Sequence, residues 1–305
     1  MLNLTLIILI INLYYICMVK YIILFLILII SSCSKENEIS FDLINFGTNE
    51  TLDIITWNIE NYPKENYLTT EYVSNFINSF NDIDIIALQE IANEEAFLNI
   101  IPLLLDNGWE GFRSEDTNNQ ELSYLINTEH VNILTQPYEI LSDEEYYFAY
   151  RAPYVIEIEF NNETFYIINV HLKCCDGSEE RREISSLYLK EYIDQNFSSD
   201  NVIVLGDFND DITEPESQNV FLNFLNDVDN YLFTDLDIAL GPSDNWSFPN
   251  WPSHLDHILI SNEVFDYHLN TETIKLESYM VGGWGRYDSY VSDHRPVGIS
   301  LLVLD

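Results

Sequence analysis

The chain has 305 residues, of which 47% are hydrophobic, and this is enough for one large folded domain or two small ones. Its formal net charge is −39, since 51 Asp and Glu residues stand against 12 Lys and Arg. So few cations exclude the broad basic surface by which most nucleic-acid-binding proteins hold their ligand. An acidic composition is also typical of disordered chains, but 20 Tyr, 17 Phe and 5 Trp predict a folded, strongly anionic domain.

The amino terminus has the order of a secretory signal. Residues 18–33, MVKYIILFLILIISSC, run from Lys20 through an apolar segment to two serines and Cys33. The last four letters, ISSC, resemble a bacterial lipobox, whose cysteine becomes the lipidated first residue of the mature protein. The alternative is a retained transmembrane helix, because residues 1–30 are almost all apolar, but Lys20 interrupts that run. We predict a lipoprotein signal peptide over residues 1–32 and an exported protein, anchored at Cys33 to a membrane of the bacterial cell envelope.

The rest of the chain is predicted to form one domain behind a short linker. Residues 33–50 are polar and acidic, which predicts a tether, and no repeat or later Pro/Gly/Ser-rich linker divides residues 51–305. Within this domain, apolar and alternating runs predict strands, and apolar residues spaced by three and four predict helices. The predicted strands are 52–59, 82–91, 153–160, 165–172, 201–209, 255–261 and 296–304, and the predicted helices are 69–80, 93–108 and 179–197.

Local signals fix some of the predicted boundaries. Thr69 or Thr70 can cap the first helix, and Gly108 can close the second. The sequence NNET predicts a hairpin turn between the third and fourth strands. The apolar stripe of the third helix consists of Ile184, Leu187, Tyr188 and Tyr192. Alternating strands and helices, joined to a hairpin, predict mixed sheets with helices packed outside.

Polar side chains stand where the predicted strands end. The stretch VIVLGDFNDD shows this best, because apolar and small residues lead directly into acids and amides. A single cluster of this kind is also what an ordinary turn shows. The pattern recurs along the chain, however, and side chains two apart on a strand lie on one face. We therefore expect one polar constellation made of Asn58, Glu90, Asn169, His171, Asp207, Asn209, Asp256, Asp293 and His294.

The motifs that carry these residues are TWNIEN, ALQEI, NVHLK, GDFND, LDHILIS and SDHRPV. In this order they resemble the endonuclease/exonuclease/phosphatase superfamily, the DNase I-like fold, over residues 52–304. The resemblance implies an α/β fold built as a four-layer sandwich, in which two mixed β-sheets pack face to face and helices lie outside. It also implies a metal-dependent hydrolase of phosphate esters, with its site at one edge of the sandwich.

The resemblance also implies a role for each polar residue. Ester hydrolysis needs a positioned water and charge stabilisation at the phosphoryl oxygens, and Mg²⁺, with Mn²⁺ as a substitute, suits carboxylate and amide oxygens. Asp256 would orient His294 as a donor, and Asp207 would orient or deprotonate the water, while which histidine is acid or base stays open. The implied sets are Asn58, Glu90 and Asp293 for the metal, Arg151 and Asn169 for the substrate phosphate, and His171, Asp207, Asn209, Asp256 and His294 for catalysis.

Neighbouring residues carry weaker signals. His257 should face away from the site along its strand and be structural, and the acids at 210–211 are typical of a turn. The position of Glu60, two after the asparagine of TWN, allows it to face the site. Cys174 and Cys175 are adjacent in the chain. They are either a strained vicinal disulfide or two free thiols, and in both cases we predict a structural role.

The predicted function is an exported, Mg²⁺-dependent phosphoesterase that cuts phosphodiester bonds, with nuclease as the favoured subclass. The alternatives are a phospholipid-headgroup or small phosphate-ester hydrolase, and an inert surface binding protein, which the intact motif set disfavours. The predicted partners are weakly bound DNA or RNA and a membrane, and the predicted state is a monomer. The loop at 240–254 is aromatic instead of cationic, so Trp246, Phe248 and Trp251 either stack bases or pack the loop.

Overall fold

The computed structural model describes residues 14–15, 18–20, 41–105, 108–115 and 120–304. The predicted lipidation site and the first part of the predicted tether lie outside these residues. No helix within the described part of the chain is long and apolar enough to cross a membrane.

Two compact units divide the chain, Met1–Ser40 and Phe41–Asp305. Cys33 belongs to the first unit, of which the structure describes only the helical residues named above. The second unit begins earlier than the predicted boundary at residue 51. Ile44 and Phe46 are 2% and 4% exposed, and Ile44 forms a parallel bridge with Phe80. The predicted tether is therefore too long, because these apolar residues in its second half pack on the domain.

The second unit contains two six-stranded mixed sheets. In the first sheet the strand order is β11-β12-β1-β2-β4-β3, and in the second it is β5-β6-β7-β8-β10-β9. Only β1–β2 and β7–β8 are parallel among the described strand pairs. The strands are β1 (Leu52–Tyr62), β2 (Ile85–Ile91), β3 (Trp109–Arg113), β4 (Glu121–Asn127), β5 (Asn132–Glu139), β6 (Tyr154–Phe160), β7 (Glu163–His171), β8 (Asn201–Asp207), β9 (Tyr231–Phe233), β10 (Asp256–Ser261), β11 (His268–Thr273) and β12 (Val297–Leu301).

Helices flank the two sheets, so the predicted four-layer sandwich is confirmed. The main core lies between the sheets, where Ile54 and Ile85 of one pack with Ile167 and Ile258 of the other. A second cluster packs helices against the outer face of the second sheet. The helices are α1 (Tyr67–Ile77), α2 (Glu94–Leu98), α3 (Glu179–Asn196), α4 (Leu222–Leu225), α5 (Leu236–Ala239) and α6 (Gly283–Tyr290). Short 3₁₀ helices occupy Ile101–Leu103, Ser142–Glu144, Ser243–Asn245, Asn262–Tyr267 and Leu276–Tyr279.

Two predicted helix boundaries are wrong. Helix α1 begins after Asn66, so Thr69 and Thr70 lie inside it, where Thr69 Oγ1 accepts a hydrogen bond from the backbone N–H of Glu65. The second predicted helix ends at Leu98 and is followed by a 3₁₀ turn that contains a proline. Proline removes a backbone donor and crowds the preceding turn, which ends the α-helix well before the glycine predicted to close it.

The third predicted helix is confirmed, since α3 spans Glu179–Asn196, but its buried stripe is offset from the prediction. Leu187 is 51% exposed. The buried stripe includes the small residues Ser185 and Ser186, and Ser186 Oγ bonds to Asn223 Oδ1 at 2.7 Å. Small side chains with satisfied hydroxyls let the helix lie close to its neighbours, which the apolar spacing alone does not reveal. The full buried set is Arg182, Ser185, Ser186, Leu189 and Ile193.

Candidate functional site

The ends of β1, β2, β7, β8 and β10 meet at one edge of the sandwich and line a cleft of about 1270 Å³. Parallel strands carry their carboxyl ends to the same edge, which is why β1–β2 and β7–β8 both contribute. The predicted site residues that line this cleft are Glu90, Arg151, His171, Asp207, Asn209, Asp293 and His294.

Strand register places three of these side chains side by side. His171 at the end of β7 is opposite Asp207 at the end of β8, and Asp207 is opposite Asp256 at the start of β10. Gly206 makes this close approach possible, because a Cβ at this position would lie 1.9 Å from the carbonyl oxygen of Val170. Its φ of +149° is also one that other residues rarely adopt.

Glu90 sits on a strained backbone at the end of β2. Its φ is +64°, in the left-handed region, at a point where the register between β2 and β1 shifts. The turn directs the carboxylate into the cleft, where Oε2 accepts a 2.8 Å hydrogen bond from the backbone N–H of Asn61. A non-glycine residue held in this conformation costs energy that the surrounding structure must offset, a pattern frequent at functional sites.

Asn58 lies between two carboxylates and presents its nitrogen to both. Its Nδ2 donates to Asp207 Oδ2 at 3.0 Å and to Glu90 Oε1 at 3.3 Å. Its Oδ1 accepts a hydrogen bond from the backbone N–H of Glu60 at 3.0 Å, which fixes the orientation of the amide. The oxygen that a metal would need is thus turned away, so the predicted metal-ligand role of Asn58 does not fit this geometry. Asn58 instead holds the two carboxylates together.

Asp207 is buried at the centre of the constellation. Besides Asn58, it accepts a 2.9 Å hydrogen bond at Oδ1 from the backbone N–H of Asn209. Burial raises the pKa of Asp207, the charge on His294 lowers it, and the charges on Asp256 and Glu90 raise it further, to about 7. A carboxylate in this range can both hold and release a proton near neutral pH. Asn209 itself has φ +54° and donates from Nδ2 to the carbonyl of Leu172.

His294 and Asp256 form a buried pair. His294 Nδ1 lies 2.8 Å from Asp256 Oδ2, and His294 Nε2 lies 4.0 Å from Asp207 Oδ2. Burial alone would lower the pKa of His294, but the charges on Asp256 and Asp207 and the hydrogen bond to Asp256 outweigh it and raise the pKa to about 10. The imidazole is therefore a cation at neutral pH, with Nε2 directed at the cleft. Phe248 packs against its ring at 4.8 Å.

His171 differs from His294 in its charge state. Its Nε2 is 3.5 Å from Asp207 Oδ2 and 3.8 Å from Glu90 Oε1. Burial and the positive charges on Arg151, His294 and Lys173 lower the pKa of His171 well below its usual range. Its Nδ1 is buried without a hydrogen-bond partner in the described part of the chain. The site thus pairs a neutral imidazole with a charged one on either side of Asp207.

Arg151 reaches the cleft where the resemblance implies a phosphate contact. Its Nε and Nη2 donate to the carbonyls of His171 and Leu172 at 3.3 Å, and its Nη1 donates to Gln120 at 2.8 Å. Burial lowers the pKa of Arg151, although the charges on Glu90 and Asp207 raise it. The guanidinium is therefore anchored through backbone carbonyls instead of by an ion pair.

Asn169 does not reach the cleft, and its predicted contact with substrate phosphate is wrong. It is fully buried between the sheets. Its Nδ2 donates to the carbonyls of Leu88 and Ser123, at 3.0 and 3.1 Å, and its Oδ1 accepts from Gln89 at 2.8 Å. All of its hydrogen-bonding capacity toward the neighbouring sheet is used, so Asn169 joins the two sheets beneath the site.

Asp293 and Glu60 form the acidic wall of the cleft. Glu60 Oε2 accepts a 3.1 Å hydrogen bond from the backbone N–H of Asp293 and also pairs with Lys64. Burial raises the pKa of Glu60, the hydrogen bond from Lys64 lowers it, and the charge on Asp293 raises it. Glu60 therefore lines the cleft, as its spacing from Asn58 allows.

The donor set fits a divalent cation. One carboxylate oxygen of Glu90 and one of Asp207 both contact the Asn58 amide nitrogen, so the two oxygens lie close together. Asp293 lines the same cleft. Carboxylate oxygens are the hard ligands that Mg²⁺ and Mn²⁺ prefer. The group Asp207, Asp256 and His294 is also close enough to hold an ion. There, however, Asp256 and His294 already bind each other. Glu90 is therefore the residue best placed to hold a metal, with the oxygens of Asp207 and Asp293 nearby.

A second buried group, Asp235–His254–His257, lies behind the cleft and uses its atoms internally. Asp235 Oδ2 is 2.5 Å from His257 Nδ1 and 3.1 Å from His254 Nε2. His257 Nε2 is 3.0 Å from the carbonyl of Asp210. His257 therefore faces away from the cleft and has structural contacts, as its place on the strand predicts. Asp210 is more than a turn residue, because it pairs with Arg182 at 2.7 Å.

The aromatic loop and the cysteine pair complete the cleft walls. Trp246 Nε1 donates to the carbonyl of Ile238, so this tryptophan packs the loop, whereas Trp251 lines the cleft and is 79% exposed. Cys174 and Cys175 are free cysteines with their Sγ atoms 2.7 Å apart. Of the two predicted alternatives for the cysteines, the structure contains the free thiols.

Comparisons with known proteins agree with this geometry. The model of the endonuclease/exonuclease/phosphatase family matches residues 55–294. No curated protein sequence matches the chain. Similar solved structures include D. rerio TDP2 complexed with single strand DNA product, with 14% identity over 83% of this chain and 99% of that chain and a TM-score of 0.64.

Two further structures resemble the chain to a similar degree. The Bacteroides thetaiotaomicron mannosyl-6-phosphatase Bt3783 has 14% identity over 83% of this chain and 100% of that chain, with a TM-score of 0.60. The human Nocturnin catalytic domain with bound sulfate anion has 17% identity over 83% and 94%, with a TM-score of 0.57. At these identities the structures show a shared fold, and the match to the family model covers most of the chain. The chain belongs to the endonuclease/exonuclease/phosphatase family of divalent-metal-dependent phosphoester hydrolases.

Proposed function

We propose that this protein is an exported, Mg²⁺-dependent phosphodiesterase, with nucleic acid as its favoured substrate. The observation that carries the proposal is the convergence of Glu90, His171, Asp207 and His294 in one cleft. In that cleft a carboxylate with a pKa near 7 lies 4.0 Å from an imidazolium. Water attack on a phosphate ester needs both a proton acceptor and a cationic donor.

His294 is the donor in this scheme. Asp256 holds its Nδ1, which fixes the ring and keeps it charged, so that the Nε2–H can donate to a phosphoryl oxygen. Charge accumulates on these oxygens as the water adds, and a fixed cation stabilises it without reorganisation. Phe248 packs at a tilt against the imidazole, with the two ring centres 4.8 Å apart.

Asp207 is the acceptor. The Asn58 amide and the Asn209 backbone N–H hold its two oxygens, so that the carboxylate is oriented before the substrate arrives. The attacking water gives its proton to Asp207, and the neutral His171 lies close enough to bind the same water or the phosphoryl group. When bound at Glu90, the divalent ion supplies positive charge that polarises the phosphoryl oxygens.

Nucleic acid is the favoured substrate, and small phosphate esters are the second candidate. An exposed Trp251 beside the cleft supplies a face on which a base can stack. The second candidate is favoured by the net charge of −39, which opposes binding of a long polyanion. The related folds include a protein bound to single strand DNA and a mannosyl-6-phosphatase, so both substrate classes occur on this architecture.

The proposed location is the cell envelope, with a lipid anchor at Cys33. The signal-like order of residues 18–33 supports this proposal. In a bacterial host, the wild-type protein should be recovered with the membrane fraction, and Cys33→Ala should yield soluble or uncleaved protein. Mature wild-type protein that retains its first residues would contradict the lipoprotein assignment.

The catalytic proposal is tested with a substrate panel. Purified residues 34–305 should hydrolyse a short DNA or RNA oligonucleotide with Mg²⁺ and lose that activity in EDTA. Glu90→Gln should weaken the response to Mg²⁺, and Asp207→Asn should lower kcat by about 10² to 10⁴ with the fold intact. Glu94→Gln, an exposed acid on α2, is the matched control and should behave as wild type. Activity that survives EDTA unchanged would contradict the proposal, and hydrolysis of lipid headgroups alone would replace the substrate class.

A further inference from the structure

Several cations of the described chain are neutralised by carboxylates. Arg182 pairs with Asp210 at 2.7 Å, and Arg295 pairs with Glu277 at 2.7 Å. Neither guanidinium is therefore available to a substrate, although both lie near site motifs in the sequence. Other ion pairs of this kind are Lys64–Glu60, Lys190–Asp194 and Lys190–Asp227.

Three cations without a carboxylate partner among the described residues line the cleft. They are Arg151, Lys173 and Arg181. Arg151 already has a proposed role as a contact of the scissile phosphate. It lies close enough to Glu90 and Asp207 for their charges to raise its pKa. Lys173 and Arg181 have no role in the reaction described above, although the chain has only 12 Lys and Arg residues and two of them lie here.

Lys173 is held in place by its backbone while its ammonium faces the cleft. It follows His171 by two residues and lines the same cleft as His171 and Asp207. Its carbonyl accepts a 2.8 Å hydrogen bond from Arg182 Nη1. Its Nζ lies 3.4 Å from Cys174 Sγ, and a thiol sulfur is only a weak acceptor. Lys173 can therefore bind an anion without giving up an ion pair.

Arg181 stands in the first turn of α3 and also lines the cleft, and its neighbour Arg182 donates to the carbonyls of Lys173 and Cys175. Its guanidinium lies 4.2 Å from the centre of the Tyr146 ring and donates to the Tyr146 carbonyl. Its Nε is buried and has no hydrogen-bond partner within the described part of the chain. The aromatic ring fixes the guanidinium, and no carboxylate of the described residues neutralises it.

We propose that the cleft recognises a second phosphate group of the substrate, bound by Lys173 and Arg181 beside the scissile phosphate at Asp207. The inference rests on the proposed function and narrows its substrate class to compact phosphodiesters that carry one further phosphate. A cleft of about 1270 Å³ is larger than a single phosphate ester needs and can hold such a molecule.

The rim beyond these cations limits the substrate to one extra phosphate. Four carboxylates line the cleft together with Lys173 and Arg181 and would repel a continuing chain of phosphates. They are Asp176, Glu179, Asp211 and Glu214. A short substrate with one terminal phosphate brings less negative charge near these carboxylates than an internal segment of a long polymer does.

Steady-state kinetics on matched substrates test the inference. The probes are an unphosphorylated dinucleotide and the same dinucleotide with a 5′- or a 3′-terminal phosphate. Wild type should have a lower KM for one of the phosphorylated forms. Lys173→Gln and Arg181→Gln should each raise that KM about tenfold, the effect of losing one charge-assisted hydrogen bond, and leave kcat and the KM for the unphosphorylated dinucleotide nearly unchanged. Lys275→Gln removes the same charge away from the cleft and should have no effect.

The outcomes separate this inference from the proposed function. Equal hydrolysis of all dinucleotides by wild type and both variants would overturn the inference and leave the phosphodiesterase proposal intact. Failure to hydrolyse any of them, together with glycerophosphoinositol and its ring-phosphorylated form, would overturn the proposed function and the inference with it. A preference for ring-phosphorylated over plain glycerophosphoinositol, lost in Lys173→Gln, would support the second-phosphate site with a lipid headgroup as its source. Melting temperatures equal to wild type show that the variants are folded.

Discussion

His294 depends on a single neighbour for its charge. Asp256, at 0% exposure, lies 2.8 Å from its Nδ1, and the pKa of His294 is raised to about 10 although burial opposes the charged form. A donor with a pKa this high stays protonated across the physiological range. The role of Asp256 is thus electrostatic as well as orienting, and the two contributions can be separated by a substitution that keeps the shape.

Asp256→Asn should move the alkaline limb of the kcat/KM profile to lower pH. The amide preserves a hydrogen-bonding atom but removes the negative charge that holds the proton on His294, so the pKa of His294 falls and the protonated form is lost earlier as pH rises. His294→Gln should lose about 10² to 10⁴ in kcat over the pH range in which His294 is protonated in the wild type. Asp266→Asn, an exposed acid, is the control. An alkaline limb that stays in place in Asp256→Asn would show that His294 does not act as the protonated donor.

Asn58 has the opposite task, because it holds two like charges together. Without its Nδ2, Glu90 and Asp207 would face each other unshielded, and the pKa of Asp207, already raised to about 7, would rise further. We expect Asn58→Ala to move the acidic limb of kcat/KM to higher pH, since Asp207 must be deprotonated to accept a proton. Asn75→Ala on α1 is the matched control. A shift to lower pH would contradict the role given to Asn58.

For single residues, the sequence predicts which side chains reach the site better than it predicts which of their atoms are available there. Polar residues at strand ends were enough to predict that Glu90, His171, Asp207 and His294 meet at one edge. The pattern does not reveal which atoms of a side chain are already taken. Asn58 has its oxygen bound to a backbone N–H, and Asn169 has every polar atom bound between the sheets, so neither can do what its place on the strand suggested.

Among the secondary-structure elements, the strands predicted from the sequence are continuous apolar runs or the two arms of the predicted hairpin, β6 and β7. Strands β1, β2, β8, β10 and β12 are continuous apolar runs and are found within a few residues of their predicted bounds. The predicted strands do not include β3, β5, β9 and β11, which lie at the sheet edges, or β4, all of whose residues are buried. Edge pairing is decided by backbone partners that are distant in the chain, which a local pattern cannot show.

The Asp235–His254–His257 group joins β10, α5 and the aromatic loop, and its stability should depend on pH. Burial would raise the pKa of Asp235, but the charges on its two histidines lower it, whereas the pKa of His257 is raised by Asp235 against its burial. Asp235 therefore stabilises the fold at pH values above its ordinary pKa of 3.8, and this stabilisation is lost as the pH falls through its lower folded pKa. His257 stabilises the fold at pH values below its ordinary pKa of 6.5, and this stabilisation is lost as the pH rises through its higher folded pKa.

Asp235→Asn should lower the free energy of unfolding by about 3 kcal/mol near pH 6, because it leaves the buried, charged His257 without a partner. The loss should shrink in alkaline solution, where His257 is neutral in both proteins. Urea denaturation across pH measures this directly, with Asp237→Asn on the exposed side of α5 as the control. A loss that is the same at all pH values would mean that the group acts through packing and not through charge.

Across the whole molecule, charge is distributed so that attraction is local and repulsion is general. Fifty-one acids against 12 bases repel any polyanion at long range, while Arg151, Lys173 and Arg181 line the cleft without carboxylate partners among the described residues. Composition alone predicts the repulsion. It does not predict the local cations, because Arg182 and Arg295 look equally suitable in the sequence and only the fold shows that they are paired.

This distribution predicts a shallow salt dependence for nucleic acid. Each phosphate neutralised on duplex DNA contributes about −0.9 to the slope of log affinity against log salt concentration, so three local contacts set an upper limit near −2.7. Added salt also screens the general repulsion, which offsets part of that loss, and we expect a slope of about −2 or shallower. Measurement of KM for a duplex oligonucleotide over a salt series at constant Mg²⁺ tests this. When the bound end of the duplex carries a terminal phosphate, Lys173→Gln should make the slope shallower by about one contact. A slope that corresponds to six or more contacts would require a basic groove, which the cations of the described cleft cannot supply.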